Sequence, residues 1–234
     1  MALYDSIARL YDSWSRSVTE DIEFYVEEAL ASGGPVVELA VGTGRVAVPI
    51  AEAGIGVIGI DLSGAMLDVA REYARDRGVE ELVELRAGDI CAPPVTERVP
   101  LVICPFRSLL HLPDNETKLA ALRAVRELLE EDGRFVFDVF VPSREDVDAT
   151  DGRWLEREPG IFERADWDEP ERTVTLSVRR GAEKATMVLH WCTAAEWLEL
   201  IGTAGFQLEQ FWGWFDRRPY AQAEDMIFSC RRLG

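Results

Sequence analysis

Histidine, lysine and cysteine are scarce in this chain, and each scarcity removes a class of chemistry. Two histidines, His111 and His190, exclude a multi-histidine metal site. The four cysteines, Cys91, Cys104, Cys192 and Cys230, lie far apart and form no CxxC pair. Three of them fall in or beside apolar runs, as reduced core thiols of a cytoplasmic protein would. Lysine occurs only at 118 and 184, and no basic tail or stripe exists. With 43 Asp plus Glu against 25 Lys plus Arg, the formal charge is −18. That charge repels phosphate backbones and anionic lipid, so neither nucleic acid nor a membrane surface is an expected partner. No run of 18 apolar residues is present to span a bilayer. Asp5, Arg9, Asp12 and Arg16 break the first twenty residues, where a secretory leader would be apolar. Repeats, low-complexity tracts and Pro/Ser-rich linkers are missing too. What is there, 234 residues at 47% apolar and 29% charged, is the composition of one or two globular domains.

Hydrophobic patterning divides the chain. The first 32 residues read as helical, with Ile22, Val26 and Ala29–Leu30 at helical spacing and Thr19 as an N-cap. Continuous apolar runs follow at 35–40 (PVVELA), 56–60 (GVIGI), 82–87, 99–104 (VPLVIC) and 134–140 (RFVFDVF). Helical patterns separate them at 45–53, 63–78 and about 114–129. Strands that are apolar throughout, alternating with helices, predict a parallel sheet covered on both faces. After residue 140 the pattern changes. Residues 142–160 are polar and carry two prolines, while 173–178 (TVTLSV) and 185–191 (ATMVLHW) alternate like antiparallel strands. Thr193 and Glu196 form a capping box for a helix ending at Gly205, and strand patterns at 206–215 and 224–231 close the chain. We read an N-terminal helical cap at 1–32, an α/β core at 33–141 and 193–234, and an antiparallel insert at 142–192 on the substrate side.

In an open parallel sheet, ligands bind beyond the carboxyl ends of the strands. Gly42-Thr43-Gly44 follows the first strand, Asp61 ends the second and Asp89 follows the third. A Gly-x-Gly turn lets backbone approach a ligand, and the next helix start offers free N–H groups. Asp61 lies 19 residues after Gly42, the offset of a carboxylate that accepts both ribose hydroxyls. An adenosine-type ligand is the expectation. Gly42-x-Gly44-x-x-Ala47 also fits a loose dinucleotide fingerprint, but Glu38 ends the first strand where a pyrophosphate would lie. An acid there repels phosphate and suits an ammonium or sulfonium cation.

Residues 38–44 (ELAVGTG), 61–67 (DLSGAML), 88–90 (GDI) and 130–138 (EEDGRFVFD) together resemble class I S-adenosylmethionine-dependent methyltransferases. The resemblance implies a Rossmann-like α/β fold, a seven-stranded, mostly parallel sheet with an antiparallel last strand. It implies S-adenosylmethionine as cofactor and S-adenosylhomocysteine as product. By the same resemblance Glu38, with backbone at Ala40 and Gly42, would hold the methionine moiety, and Val41 and Gly44 belong to that turn. Asp61 would take the ribose, Leu62 and Met66 would pack on adenine, and Asp89 and Ile90 would contact its edge. Cys104, Pro105 and Phe106 would line the methyl-donor pocket. Val41 stands where many relatives have Cys, and Pro100 where an Asp often opens the strand. The segment 105–112 (PFRSLLHL) resembles that of small-molecule N-methyltransferases, including amino-sugar and glycine or sarcosine types. Tyr11-Asp12 resembles the segment that folds over the cofactor in that subgroup.

The expected reaction is therefore methyl transfer to a small-molecule amine or hydroxyl, in a monomer or homodimer. An RNA methyltransferase of the same fold, a nicotinamide-dependent oxidoreductase and a non-catalytic S-adenosylmethionine-binding protein are the alternatives. His111 is the candidate general base, with a structural histidine as the plainer reading. His190 is a substrate contact or an ordinary strand residue. Residues 211–215 (FWGWF) are a cation cage or packed strand. Trp154 and Trp167, flanked by acids, shape an amine pocket or a lid. Arg179-Arg180 and Arg217-Arg218 grip an anionic substrate group or mark a solvated strand end or turn.

Overall fold

A computed structural model describes Tyr11, Trp14 and residues 18–221 and 224–234. Asp12 lies outside the described residues, as does most of the segment before 18. Helix α1 (Glu20–Ser32) leads into β1 (Val36–Leu39), α2 (Ala47–Glu52), β2 (Val57–Asp61), α3 (Gly64–Asp76) and β3 (Val83–Ala87). Then come β4 (Val99–Cys104), a 3-10 turn (Ser108–His111), α4 (Asn115–Leu128) and β5 (Leu129–Phe140). The insert holds α5 (Arg144–Thr150), β6 (Trp154–Glu158), β7 (Ile161–Asp168), β8 (Thr173–Arg180) and β9 (Glu183–His190). Helix α6 (Ala194–Thr203), β10 (Phe206–Trp212) and β11 (Asp225–Arg232) complete the chain.

The seven-stranded sheet runs in the order β10-β11-β5-β4-β1-β2-β3. Strand β11 is antiparallel to both β5 and β10, and the neighbours from β5 to β3 run parallel. The chain order reverses between β1 and β4, which opens a crevice at their carboxyl ends. Strand β1 has no exposed residue because it lies at the centre of the sheet with apolar layers on both sides. Phe24, Tyr25, Ala29, Ile50 and Leu67 cover one face. Leu110, Leu122, Val125, Trp197 and Ile201 cover the other. Stacked rings tie the antiparallel edge together, with Phe137 on Phe228 at 5.0 Å and Phe211 on Phe228 at 4.5 Å. A separate antiparallel sheet, β6-β7-β8-β9, forms the insert.

Local chemistry sets most boundaries. Ser63 accepts from Met66 N to cap α3, a contact worth about 1 kcal/mol. Asp114 with Thr117, and Thr193 with Glu196, each form a reciprocal box. Thr19 precedes α1 without a capping bond from its side chain. Two expectations need correction. Helix α4 ends at Leu128 as expected, but β5 begins at once at Leu129, ahead of the predicted 134. Asp132 takes a left-handed φ of +64° where the β4–β5 register shifts. The polar stretch 142–160 contains α5 and β6, and the insert has four strands where the alternation suggested two.

Candidate active site

One cavity of about 650 Å³ opens at the carboxyl ends of β1 and β4, between the core and the insert sheet. On the core side it is lined by Ala40, Gly42, Asp61 and Met66, and at the β4 exit by Phe106, Ser108 and His111. The insert supplies an apolar wall of Ala165, Trp167, Val174, Leu176, Met187 and Leu189. Tyr11, Trp14, Trp214 and Phe215 also line it. Trp14 reaches across to the insert, its Nε1 donating to Glu163 Oε2 at 3.0 Å.

The first turn is shaped by backbone. Ala40 and Gly42 take left-handed φ values of +54° and +56°, and Gly44 takes +82°. A Cβ on Gly44 would sit 3.3 Å from both Ala70 and Val48, so close packing of α2 on α3 also needs this glycine. Asp61 ties turn and strand together, accepting from Gly42 N at 2.9 Å and Ser63 N at 2.8 Å. Val41 and Gly44 are buried beneath the turn, away from the lining.

Glu38 is 2% exposed, and its Oε2 meets no partner among the described residues. Burial pushes its carboxyl well above the usual carboxylate range, and the nearby Arg45 guanidinium opposes the rise. An orphaned buried acid costs roughly 1–3 kcal/mol until a donor reaches it. A cationic ammonium at the end of β1 is the donor that fits. Arg45 itself is engaged: both guanidinium arms bond Asp21, at 2.7 and 2.6 Å, and its charge lies 4.6 Å over the Phe106 ring.

Other expected residues sit at the rim. Asp89 is exposed and accepts from Cys91 N at 2.8 Å, and Leu62 is 64% exposed. Ile90, Cys104 and Pro105 are buried behind the lining. His111 lines the cavity, and burial, with a smaller push from His190, lowers its pKa to about 4, so it is neutral at pH 7. His190 lies in a second, smaller hollow with Lys118 and Trp191. Residues 211–215 split their roles, since Phe211 and Trp212 pack while Trp214 and Phe215 face the cavity. Trp167 lines the cavity, but Arg179 covers the Trp154 ring at 4.3 Å. Arg217 pairs with Glu27 and Glu28, and Arg180 with Glu183, so these arginines are occupied by protein carboxylates.

Sequence reasoning missed Asp138. It is 4% exposed on β5 and lines the cavity. Its carboxylate accepts from Tyr25 Oη at 2.6 Å, Phe106 N at 2.8 Å and Arg107 N at 3.0 Å. Burial and the charge of Asp21 raise its pKa to about 6. The one signal in the sequence was an acid inside an otherwise apolar strand. Asp138 is one of eight acids around the cavity, with Glu20, Asp21, Asp61, Asp146, Glu156, Glu163 and Glu224, against Arg107 and Arg157. The field inside favours cations.

Residues 36–133 match the family model described as "Methyltransferase domain". The structure of the CcbJ methyltransferase from Streptomyces caelestis superimposes with a TM-score of 0.87 at 27% identity, covering 98% of this chain and 97% of that one. Residues 36–133 of the chain thus carry a methyltransferase domain. A structure of CalS10 with S-adenosylmethionine bound, an amino pentose methyltransferase from Micromonospora echinaspora, shares the methyltransferase's fold at a TM-score of 0.68 and 20% identity. It covers 100% of this chain and 98% of its own. YqeM of Bacillus subtilis (strain 168), whose name marks it as a candidate methyltransferase, is 23% identical across 98% of this chain and 97% of its own. S-adenosylmethionine is the molecule bound in the CalS10 structure. The open glycine turn and the acid-rich lining fit that molecule's ammonium and sulfonium charges, and Glu38 lies behind the lining with one oxygen unpartnered.

Proposed function

We propose that the protein methylates the nitrogen of a small-molecule amine. The observation that carries this reading is the excess of carboxylates around a cavity whose far wall is apolar. A field of that sign concentrates ammonium compounds and disfavours phosphate-rich substrates, RNA included. The amino pentose named for CalS10 agrees with an amine acceptor.

In this reading Glu38 holds the cofactor's ammonium, and backbone at Ala40, Val41 and Gly42 follows its methionine moiety. Gly44 keeps the turn close. Asp61 accepts the ribose hydroxyls, Leu62 and Met66 flank adenine, and Asp89 and Ile90 meet its edge. Pro105 backs the methyl end, and Tyr11 closes over it. When bound, S-adenosylmethionine supplies an activated methyl group on sulfur. The chain's own part in an in-line displacement is alignment and exclusion of water, and alignment alone supplies several kcal/mol. His111, held neutral, accepts a hydrogen from the substrate nitrogen and orients its lone pair. Its lowered basicity makes it a better hydrogen-bond acceptor than proton store.

The protein acts as a monomer or homodimer without nucleic acid. We place it in the cytoplasm on the four free cysteines. The described helices include none long and apolar enough to cross a membrane. A labelled-methyl screen against amines, phenols and RNA tests the reading. Transfer to amines is expected. Transfer to phenols or RNA alone would overturn it.

A further inference from the structure

Phe106 and Arg107 follow β4 with φ values of +58° and +62°, a region that costs a non-glycine residue free energy. Two consecutive residues of this kind are not held by local sequence, since neither is Gly, Asn or Asp. Their N–H groups converge on the Asp138 carboxylate, at 2.8 and 3.0 Å. The same carboxylate takes the Tyr25 hydroxyl at 2.6 Å, which anchors it to α1. Beyond the turn lie Ser108 and His111, both facing the cavity. The Phe106 ring set by this turn is the surface that Arg45 covers at 4.6 Å and Tyr11 meets edge-on at 6.3 Å.

We propose that Asp138 is a positioning residue for methyl transfer: its ionised carboxylate holds the β4-exit turn in the left-handed form that presents Phe106 and the 108–111 helix to the cavity. The inference rests on the methyl-transfer reading above but concerns the turn, which can be observed without turnover. A carboxylate accepts from both backbone donors, whereas a protonated acid turns one oxygen into a donor facing an N–H. Loss of the proton therefore tightens the turn, and its uptake loosens it. The charged and titratable groups facing Asp138 are Tyr25 and Asp21 from α1, Cys104 from β4, Arg107 from the turn and Arg45 after the glycine turn. Strand β11 presents Ile227 in register, which carries no charge. Burial and Asp21 raise the carboxyl, and Arg107 and the Tyr25 hydroxyl lower it, to a net value of about 6.

The test follows the backbone amides of Phe106 and Arg107 by NMR on the full chain from about pH 5 to 8. In the wild type both should shift together with a midpoint near 6. In Asp138→Asn the shift should vanish. In Tyr25→Phe, which leaves the carboxylate but removes one donor to it, the midpoint should move up. With an accepted amine, Asp138→Asn should lower kcat by about tenfold to a hundredfold. Its calorimetric affinity for S-adenosylhomocysteine, held from the Glu38–Asp61 side, should fall by less. Amides indifferent to pH, or a wild-type kcat in Asp138→Asn, would overturn the proposal. If Asp138→Asn does not fold, the Tyr25→Phe titration decides alone. A wild type that methylates no amine would refute the functional reading, while the amide titration would still decide the role of Asp138.

Discussion

Asp61 and Glu38 show how one functional group, the carboxyl, takes two forms at adjacent strands. Asp61 already satisfies two backbone N–H groups, so it is fixed in place before any ligand arrives. Glu38 is left with an unmet oxygen. Asp61→Ala should weaken S-adenosylhomocysteine binding by about 1–3 kcal/mol in calorimetry, the scale of hydrogen bonds to a charged group. His111→Ala should lower kcat by about a hundredfold if the imidazole handles the substrate hydrogen. Unaltered turnover would reduce His111 to a structural residue. The acids at strand ends were legible in the sequence because glycines and a fixed 19-residue offset surround them. Asp138 was not, because its partners lie 31, 32 and 113 residues away along the chain and only the folded sheet brings them together.

At the scale of elements, the core was legible where each strand is a short apolar run closed by glycine or an acid. The insert was less so. Strands β6 and β7 carry charges on both faces, with Arg157 paired to Glu163 across the two strands and Arg164 to Asp166 along β7. Alternation that would mark a strand is thus diluted by residues whose partners are invisible in one dimension. The glycine turn gives a sharper expectation. Gly44→Ala places a Cβ at φ +82° and 3.3 Å from Ala70 and Val48. It should cost about 1–2 kcal/mol from the left-handed backbone alone, read as a lowered Tm. Gly59→Ala would set its Cβ 2.8 Å from Leu85 and Val41 within the β1–β2–β3 layer. It should cost about 1–3 kcal/mol by overpacking, in a position no turn argument identifies.

For the whole molecule, pH acts through groups of opposite sign. His111 has a folded pKa lowered from 6.5 to about 4. Its contribution to stability is complete above 6.5 and is lost as pH falls toward 4. Asp138 is raised from 3.8 to about 6, so it favours the folded state more as pH falls through that window. The Tm of His111→Gln should therefore decline less between pH 6.5 and 4 than that of the wild type, as scanning calorimetry would show. An equally steep decline would mean that other groups carry the acid sensitivity.

If the proposed function holds, the eight acids about one chamber also act differently on its two products. The methyl donor enters bearing a positive sulfur, and the spent thioether departs without it. The attraction that gathers the first is switched off for the second by the reaction itself. Under the proposed amine reading, a methylated amine is still protonated at neutral pH, keeps its charge and gains no such push. Exchange of the exhausted donor is thus the electrostatically easy half of each cycle, and retention of a partly methylated amine for another round is the natural counterpart.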